Sequence, residues 1–206
     1  MRIPRGYIVS LEGIDATGKK TQSRLLSRWL AKNGFKTSEM SFPDYQTAIG
    51  RQIRSFLNSK AAYPPQVQHL LFAANRWEKL GQIRSRLAAG EAVVINRYTE
   101  SNLAYGSANG LDVAWLSGLE EGLPKSDLVV VLDASPKSTS SRRPSSVKDR
   151  YEKSTSIQTK AQNAYRELAE GRGWKIIDAA GSVDEVHRAV VASVKEALGK
   201  DRGISI

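Results

Sequence analysis

Cysteine is absent from this chain of 206 residues, and so is any apolar run long enough to cross a membrane. The lack of cysteine excludes disulfide bonds and metal sites built from thiolates. A membrane-spanning helix needs about 20 consecutive apolar residues. The first residues, among them Arg2, Pro4 and Arg5, do not form the apolar stretch of a secretory signal peptide. We therefore expect a cytoplasmic protein with no membrane partner.

A glycine-rich stretch, Gly-Ile-Asp-Ala-Thr-Gly-Lys-Lys-Thr, lies between an apolar run at 7–11 and an amphipathic segment at 22–32. Strand, glycine loop and helix in this order are the context of a phosphate-binding loop, in which backbone N–H groups and a helix N-terminus point at phosphate oxygens. A chance glycine-rich turn is the alternative, but Lys19 stands in register to reach the outer phosphates. We therefore predict binding of a nucleoside triphosphate by Gly13, Ile14, Asp15, Ala16, Thr17, Gly18, Lys19, Lys20 and Thr21.

One position departs from the usual phosphate loop. After Gly18 and Lys19 the pattern expects Ser or Thr, whose hydroxyl ligates Mg²⁺. This chain has Lys20 there and places Thr21 one residue later. Because an ammonium group cannot ligate a metal unless it loses its proton, the loop predicts phosphate binding together with atypical ligation of Mg²⁺.

Basic residues outnumber acidic ones by 31 to 21, which gives a net charge of +10. Such an excess is compatible with nucleic-acid binding. The basic residues are dispersed, however, apart from a local cluster at Arg142, Arg143, Lys148 and Arg150, and they form no block of five like charges. An enzyme that handles two polyanionic nucleotides has the same need for basic side chains, so we expect small nucleotides rather than nucleic acid as partners.

Further apolar runs indicate buried strands at 92–95, 128–132 and 174–177, with a weaker candidate at 36–40. Near-continuous Val, Ile and Leu is typical of parallel strands that are covered on both faces. Helical patterns lie at 47–57, 66–89, 113–121, 157–170 and 183–198. This alternation predicts an α/β fold of three layers, with about five parallel strands, helices on both faces and functional residues at the carboxyl ends of the strands. No linker divides the chain, so we expect a single domain over residues 1–206.

The stretch from Ser135 to Ser146 is polar and rich in Ser and Pro. Its composition alone is typical of a disordered surface loop. It follows a buried strand that ends in Asp133, however, and it continues into Asp149-Arg150-Tyr151-Glu152. In an enzyme that handles phosphates, a basic loop at this place is expected to act as a mobile lid, and we place the lid at about 135–152.

Short motifs follow the predicted strands. Phe42-Pro43-Asp44-Tyr45 follows the second strand, and Asn96-Arg97-Tyr98 closes the third, with Ser101-Asn102 and Ala104-Tyr105 shortly after it. Residues 71–78 (Leu-Phe-Ala-Ala-Asn-Arg-Trp-Glu) lie on a predicted long helix. Taken singly these motifs are weak, because an arginine at a strand end is often a surface charge and an aromatic such as Phe72 on an amphipathic helix is more often part of the core.

Together, in this order and spacing, the motifs resemble those of thymidylate kinases, a family of P-loop nucleoside monophosphate kinases. The resemblance covers residues from about 7 to 172 and includes a carboxylate, Asp15, inside the phosphate loop. It implies transfer of the γ-phosphoryl group of ATP to dTMP, which gives ADP and dTDP. It also implies Mg²⁺ as the companion of ATP, and a homodimer.

The resemblance also implies roles for individual residues. Lys19 holds the donor phosphates, Arg97 bridges the acceptor phosphate and the migrating group, and Asp15 accepts a hydrogen bond from the sugar 3′-hydroxyl. Phe72 stacks on the thymine ring, while Arg76 donates to a base carbonyl. The other acceptor-binding residues are Asn102 beside the base, Tyr105 beneath the deoxyribose, and Pro43 and Tyr45 near the 5-methyl group.

The source of the catalytic arginine differs within the family. Some thymidylate kinases carry it in the phosphate loop, and others supply it from the lid. Positions 16 and 17 are Ala and Thr in this chain, so it resembles the second kind. The candidates are Arg142, Arg143 and Arg150, and the choice between the first two stays open.

Asn96 is a second departure at a position associated with the metal, since the family usually has Asp-Arg-Tyr where this chain has Asn96-Arg97-Tyr98. Lys20 and Asn96 each make the site one unit more positive, and together they add about the charge of Mg²⁺. Lys20 could neutralise phosphate charge that a metal normally covers. Reduced activity and an inactive variant are the alternatives.

Two other functions are compatible with the sequence. One is a kinase of the same fold that acts on dUMP, UMP or CMP, because a methyl group in a pocket is worth only about 1–3 kcal/mol. The other is a regulatory or nucleic-acid-binding protein that has lost catalysis, which Lys20, Asn96 and the net charge of +10 would favour.

Overall fold

The computed structural model describes residues 6–58, 63–140, 151 and 154–202. Five strands form one sheet in the order β2-β3-β1-β4-β5, and neighbouring strands are parallel. Their bounds are Tyr7–Glu12 for β1, Thr37–Ser41 for β2, Ala92–Asn96 for β3, Leu128–Asp133 for β4 and Lys175–Asp178 for β5. The five-stranded parallel sheet predicted from the sequence is confirmed.

The helices lie between the strands along the chain. In chain order they are α1 (Lys19–Lys32), α2 (Ala48–Asn58), α3 (Pro65–Trp77), α4 (Leu80–Ala88), α5 (Thr99–Ala108), α6 (Val113–Leu119), α7 (Pro136–Ser140), α8 (Thr155–Arg172) and α9 (Val183–Arg202). None of the described helices combines the length and the apolar character that a membrane span requires.

The central strands are apolar because helices cover them on both sides. Every residue of β1 is buried, and so are all but the last residue of β3 and of β4. On one face, Leu26 and Leu30 of α1 and Val190 of α9 pack against Val9 and Val130. The opposite face is covered by α4, α5 and α8, whose contacts include Ile83 with Ile8 and Tyr165 with Val131. The three layers are therefore helix, sheet, helix, as predicted.

The edge strands β2 and β5 are less buried than the central ones, and the prediction that the strand at 174–177 is buried on both faces was wrong. β2 has the sequence Thr-Ser-Glu-Met-Ser and is partly exposed along its length, and in β5 only Ile177 is buried. An edge strand has a neighbour on one side only, so the sequence does not have to supply a continuous apolar run there. The observed bounds differ from the predicted ones by one residue at each end of these strands.

Two predictions about the helices were wrong. The helix expected over 66–89 is two helices, α3 and α4, which are separated at Lys79. This residue leaves helical geometry, and its Nζ forms an ion pair at 2.7 Å with Asp44 Oδ2. Helix α5 was not predicted at all. Residues 102–106 are all buried, so α5 has no continuous polar face there and lacks the alternation from which surface helices are predicted.

Of the predicted lid at 135–152, the structure describes residues 135–140 and Tyr151, which include the short helix α7. Arg142, Arg143 and Arg150 lie outside the described residues.

Candidate nucleotide-binding site

The predicted phosphate loop joins β1 to α1 at the carboxyl edge of the sheet. Gly13 has φ 127°, and a Cβ atom at this position would lie 2.3 Å from the carbonyl oxygen of Leu132, so glycine is required. Gly18, with φ 92°, is the residue before the first turn of α1. The unpaired N–H groups at the start of a helix attract anions, and the loop therefore has the geometry of a phosphate-binding loop.

The side chain of Lys19 is buried against this loop. Its Nζ donates to the carbonyl oxygen of Ile14 at 2.5 Å and lies 3.4 Å from Thr17 Oγ1. Thr17 Oγ1 in turn donates to the same carbonyl at 3.0 Å. These contacts hold the ammonium group against the loop, and the role of Lys19 on the donor phosphates stays a prediction.

Asp15 and Arg97 form an ion pair that joins the phosphate loop to the end of β3. Arg97 has φ 62°, in the left-handed region that non-glycine residues seldom adopt. This backbone turn places its guanidinium 5.1 Å from the centre of the Tyr105 ring. Gln158 of α8 holds Asp15 from the other side, because its Oε1 accepts from the Asp15 N–H at 3.0 Å and its Nε2 donates to Asp15 Oδ2 at 2.6 Å.

The charges around Asp15 keep its carboxylate ionised. Burial raises the pKa of Asp15, but the nearby charges of Arg97 and Lys19 outweigh burial, and the net shift is downward. Ionised Asp15 is an acceptor of hydrogen bonds only. That is the property needed to bind a sugar hydroxyl, as the resemblance implies.

Glu12, the last residue of β1, is a buried carboxylate that fixes the backbone around Arg97. Its Oε1 accepts from the Tyr98 N–H at 2.6 Å, and its Oε2 accepts from Ser101 Oγ at 2.6 Å and from Tyr165 Oη at 2.9 Å. These donors belong to the residue after Arg97, to α5 and to α8. Glu12 therefore positions Arg97 without contacting it through a hydrogen bond of its own in the described residues.

A cavity of about 430 Å³ opens beside the Asp15–Arg97 pair. This volume lies within the range of about 300–1,000 Å³ that is usual for small-molecule sites. All the predicted acceptor-binding residues line it. They are Asp15, Pro43, Tyr45, Phe72, Arg76, Arg97, Asn102 and Tyr105. The structure therefore brings together residues that are up to 90 positions apart in the sequence, as in the contact of Asp15 with Tyr105.

One wall of the cavity is formed by α3. Phe72 is half-buried, and its ring centre lies 5.8 Å from that of Phe56 and 6.3 Å from that of Tyr151. Arg76 is one helical turn further along and is 3% exposed. Its Nε donates to Glu120 Oε2 at 2.9 Å, and its Nη2 donates to Glu120 Oε1. Glu120 thus engages two of the three guanidinium nitrogens, and no hydrogen bond of Nη1 is found among the described residues.

Asn102 is engaged within the protein rather than directed freely at the cavity. Its Nδ2 donates to Glu120 Oε1 at 2.7 Å, and its Oδ1 accepts from His69 Nδ1 at 2.7 Å. Burial lowers the pKa of His69 to about 4, so its ring is neutral near pH 7 and Nε2 accepts from Asn109 Nδ2 at 3.1 Å. Asn102 lies beside the predicted base site, and its amide also orients the neighbouring side chains.

The cavity is also lined by Lys20 at the start of α1 and by Ser41 and Asn96 at the ends of β2 and β3. Asn96 Nδ2 donates to Ser41 Oγ at 2.9 Å, whereas Asn96 Oδ1 is buried and has no hydrogen-bond partner among the described residues. Lys20 is exposed to solvent. The two positions at which the sequence departs from the usual metal site therefore face the same space.

These residues do not fit a protein-bound magnesium ion. Mg²⁺ is held by carboxylates together with water and phosphate oxygens. Among the described residues no group of three or more His, Cys, Asp and Glu could hold a metal ion. The two carboxylates nearest the loop are already engaged, Asp15 by Arg97 and Glu12 by three hydrogen-bond donors. Lys20 adds a positive charge where a metal ligand is expected.

Several residues of the site were not predicted from the sequence. Gln158 and Glu120 carry no local pattern that marks them, because each acts through a contact with a distant segment. His69 could have been found from its spacing. Residues 69, 72 and 76 lie on one face of α3, since positions three and four apart are neighbours on a helix.

The fold and the site together define a class of protein. The sheet has the order β2-β3-β1-β4-β5, a phosphate loop follows β1, and a cavity of the size of a small-molecule site lies beside the loop. This is the arrangement of a P-loop phosphotransferase that acts on a nucleotide. Comparison with known proteins identifies the family within this class. The family profile described as "Thymidylate kinase" matches residues 11–190.

Individual relatives agree with the profile. The chain is 37% identical over 187 residues to the thymidylate kinase of Arabidopsis thaliana, which covers 91% of this chain and 70% of the relative. It is 33% identical to that of Homo sapiens, over 96% and 94% of the two chains. A solved structure of thymidylate kinase from Candida albicans is 30% identical and superposes with a TM-score of 0.82 over 93% of this chain and 92% of the other. The chain belongs to the thymidylate kinase family.

Proposed function

We infer that the protein transfers the γ-phosphoryl group of ATP to dTMP and so produces ADP and dTDP. Membership of the family supports the reaction. The single observation that carries it in the structure is the Asp15–Arg97 ion pair, in which a carboxylate from the donor loop meets an arginine of the acceptor cavity. A phosphate loop that only hydrolysed ATP would have no need of this link.

In this reaction the protein contributes mainly by positioning the two substrates and by stabilising charge. An oxygen of the acceptor phosphate attacks the γ-phosphorus, the bond from that phosphorus to the β–γ bridging oxygen breaks, and ADP leaves with the electron pair. Phosphoryl transfer of this kind is accelerated mainly by alignment and by stabilisation of charge on the migrating group. We assign that stabilisation to Lys19 on the donor side and to Arg97 on the acceptor side, with Arg142, Arg143 or Arg150 as the predicted contribution of the lid.

Recognition of the acceptor is assigned to the walls of the cavity. Phe72 offers a ring for stacking, and Arg76 offers Nη1 to a base carbonyl. Tyr105 donates toward Asp15 Oδ2 over 3.4 Å, so its hydroxyl lies at the sugar end of the site. Pro43 and Tyr45, which also line the cavity, are assigned to the surroundings of the 5-methyl group. The ionised carboxylate of Asp15 accepts the hydrogen bond of the 3′-hydroxyl.

The function is tested by ADP production from ATP against dTMP, dUMP, UMP and CMP, with and without added Mg²⁺. We expect the highest kcat/KM for dTMP. A preference for UMP or CMP would instead identify a kinase of the same family with another acceptor, and it would contradict the role of Pro43 and Tyr45 near the methyl group. The panel matters because the related structure from Candida albicans is described as revealing the origin of broad substrate specificity. Turnover of none of the four would refute the proposed reaction.

We also propose that the protein is a homodimer that pairs through α3 and α6. On the face of α3 turned away from the cavity, Val67, Leu70 and Trp77 are 37%, 46% and 39% exposed, and Trp115 of α6 is 38% exposed. Large apolar side chains clustered on a surface mark an interface. The Leu70→Lys variant should lower the molar mass measured by light scattering to that of one chain. Ile176→Lys, on an exposed apolar residue of β5, is the matched control and should leave the dimer intact, whereas a monomeric parent would refute the proposal.

Mg²⁺ as the companion of ATP remains a prediction. The residues at the positions where the protein is expected to ligate Mg²⁺ do not fit the metal. A cytoplasmic location and a single domain over residues 1–206 also stay predictions from the sequence.

A further inference from the structure

The charges that line the acceptor cavity are paired, with one exception. Of the lining residues, Asp15, Lys20, Arg76 and Arg97 are charged. Arg97 is paired with Asp15, and Arg76 with Glu120. No hydrogen bond or ion pair of Lys20 is found within the described part of the chain. Among the described lining residues, Lys20 is therefore the one positive charge without a counter-charge, and it lies where α1 begins.

The position of Lys20 is unfavourable for the helix itself. Lys19 and Lys20 are the first two residues of α1, and its first turn contains no acidic residue. The N-terminus of a helix already carries a partial positive charge, so cations destabilise it there and anions stabilise it. Two adjacent ammonium groups at this place are stabilised when an anion binds between the helix start and the cavity.

Lys19 and Lys20 differ in what they face. Lys19 is buried against the loop and bonded to Ile14, so it is held on the donor side. Lys20 is exposed and lines the acceptor cavity together with Asn96 and Ser41. Asn96 Oδ1 is buried without a partner in the described residues, and this amide oxygen is an acceptor that could orient an ammonium group.

We propose that Lys20 Nζ binds the phosphate group of the acceptor monophosphate, so that a built-in ammonium charge stands where other phosphate loops place a hydroxyl ligand for Mg²⁺. This inference rests on the proposed function. The ligand is a phosphate dianion esterified to a nucleoside. As the acceptor oxygen bonds to the γ-phosphorus and the bridging bond breaks, the ammonium group balances negative charge and gives up no proton, and dTMP²⁻ and ATP⁴⁻ become dTDP³⁻ and ADP³⁻.

The first test measures binding of dTMP and of thymidine, which lacks the phosphate, by titration calorimetry in the absence of Mg²⁺. Lys20→Gln should weaken the binding of dTMP by about tenfold or more, equivalent to about 1.4 kcal/mol, and should leave the affinity for thymidine unchanged. Lys20→Arg should restore most of the affinity for dTMP because it keeps the charge. Lys32→Gln, an exposed lysine in the last turn of the same helix, is the control and should match the parent.

The second test titrates the rate with Mg²⁺ at fixed ATP for the parent, Lys20→Ser, Asn96→Asp and the double variant. Lys20→Ser should lose most activity at low Mg²⁺ and be partly rescued as the metal is raised, and the double variant should depend on Mg²⁺ most steeply.

The proposal is overturned if Lys20→Gln weakens the binding of dTMP and of thymidine equally, or if it changes the affinity for neither. It is also overturned if the four titrations of the rate with Mg²⁺ superimpose. A parent protein that binds dTMP but transfers no phosphoryl group would refute the proposed function. The contact of Lys20 with the phosphate would then be decided by the calorimetric comparison of dTMP with thymidine.

Discussion

The buried ion pair between Arg76 and Glu120 gives the sharpest test of the acceptor cavity. Glu120→Gln keeps the size of the side chain and removes its charge, which leaves the guanidinium of Arg76, 3% exposed, without a counter-charge. It also disturbs the hydrogen bond of 2.7 Å from Asn102 Nδ2. Removing one partner of a buried pair costs about 3–5 kcal/mol. Two unit charges at about 4 Å attract by about 4 kcal/mol at an effective dielectric constant of 20, which agrees with that range.

The kinetic effect separates positioning of Arg76 from stability of the fold. We expect Glu120→Gln to raise the KM for dTMP by about tenfold or more, because Arg76 is then no longer held in place for its proposed hydrogen bond to the base. The KM for ATP should stay nearly constant, since no hydrogen bond links either residue to the phosphate loop within the described residues. Urea unfolding and steady-state kinetics on both substrates, at a temperature at which every variant is folded, provide the two readouts.

Two further variants complete the experiment. Glu121→Gln changes the adjacent carboxylate, which is exposed, and should affect neither readout. The double variant Arg76→Met with Glu120→Leu should recover much of the lost stability, because apolar replacements of a buried pair are often neutral, but the KM for dTMP should remain high. An unchanged KM for dTMP in Glu120→Gln would show that the pair only stabilises the fold.

Three other substitutions test separate parts of the site and the core. Lys19→Ala should lower turnover by about 10²–10³-fold, as loss of one stabiliser of developing charge does; turnover within about tenfold of the parent would refute the donor role of Lys19. Phe72→Ala should raise the KM for dTMP alone, since stacking on a base is worth about 1–3 kcal/mol, whereas equal effects on the KM for ATP would assign Phe72 to the core. Burial and the charge of Glu12 raise the pKa of Glu100 to about 7, so the folded state binds this proton more tightly than the unfolded chain and stability falls as pH rises from about 4.5 through 7. Urea unfolding at about pH 5 and pH 8 should therefore show that Glu100→Gln is more stable than the parent at the higher pH only. The same difference in the free energy of unfolding at both pH values would contradict the raised pKa of Glu100.

The parts of the site that the sequence predicted are those encoded locally. The phosphate loop depends on Gly13 and Gly18 within six residues and on a strand and a helix that adjoin it. The central strands β1, β3 and β4 are recognisable because burial on both faces requires apolar residues in succession. Arg97 was placed correctly because it follows such a strand directly.

The parts that the sequence did not predict depend on contacts across the fold. The break between α3 and α4 lies at Lys79, which forms an ion pair with Asp44, a residue 35 positions earlier in the chain. Helix α5 was missed because burial on several sides removes the polar face by which a helix is recognised. Glu120 is followed by an equally acidic residue, Glu121, and only the folded structure shows which of the two meets Arg76.

The ion pair between Asp15 and Arg97 also has a thermodynamic consequence for the two substrates. Asp15 belongs to the loop predicted to hold the donor, and Arg97 belongs to the cavity predicted to hold the acceptor. A nucleotide that shifts the loop therefore changes the surroundings of the acceptor, and an acceptor phosphate that draws Arg97 away changes the loop. Such coupling is reciprocal, because the factor by which ATP alters the affinity for dTMP equals the factor by which dTMP alters the affinity for ATP. We therefore expect ATP and dTMP to alter each other's binding affinity before any bond is formed.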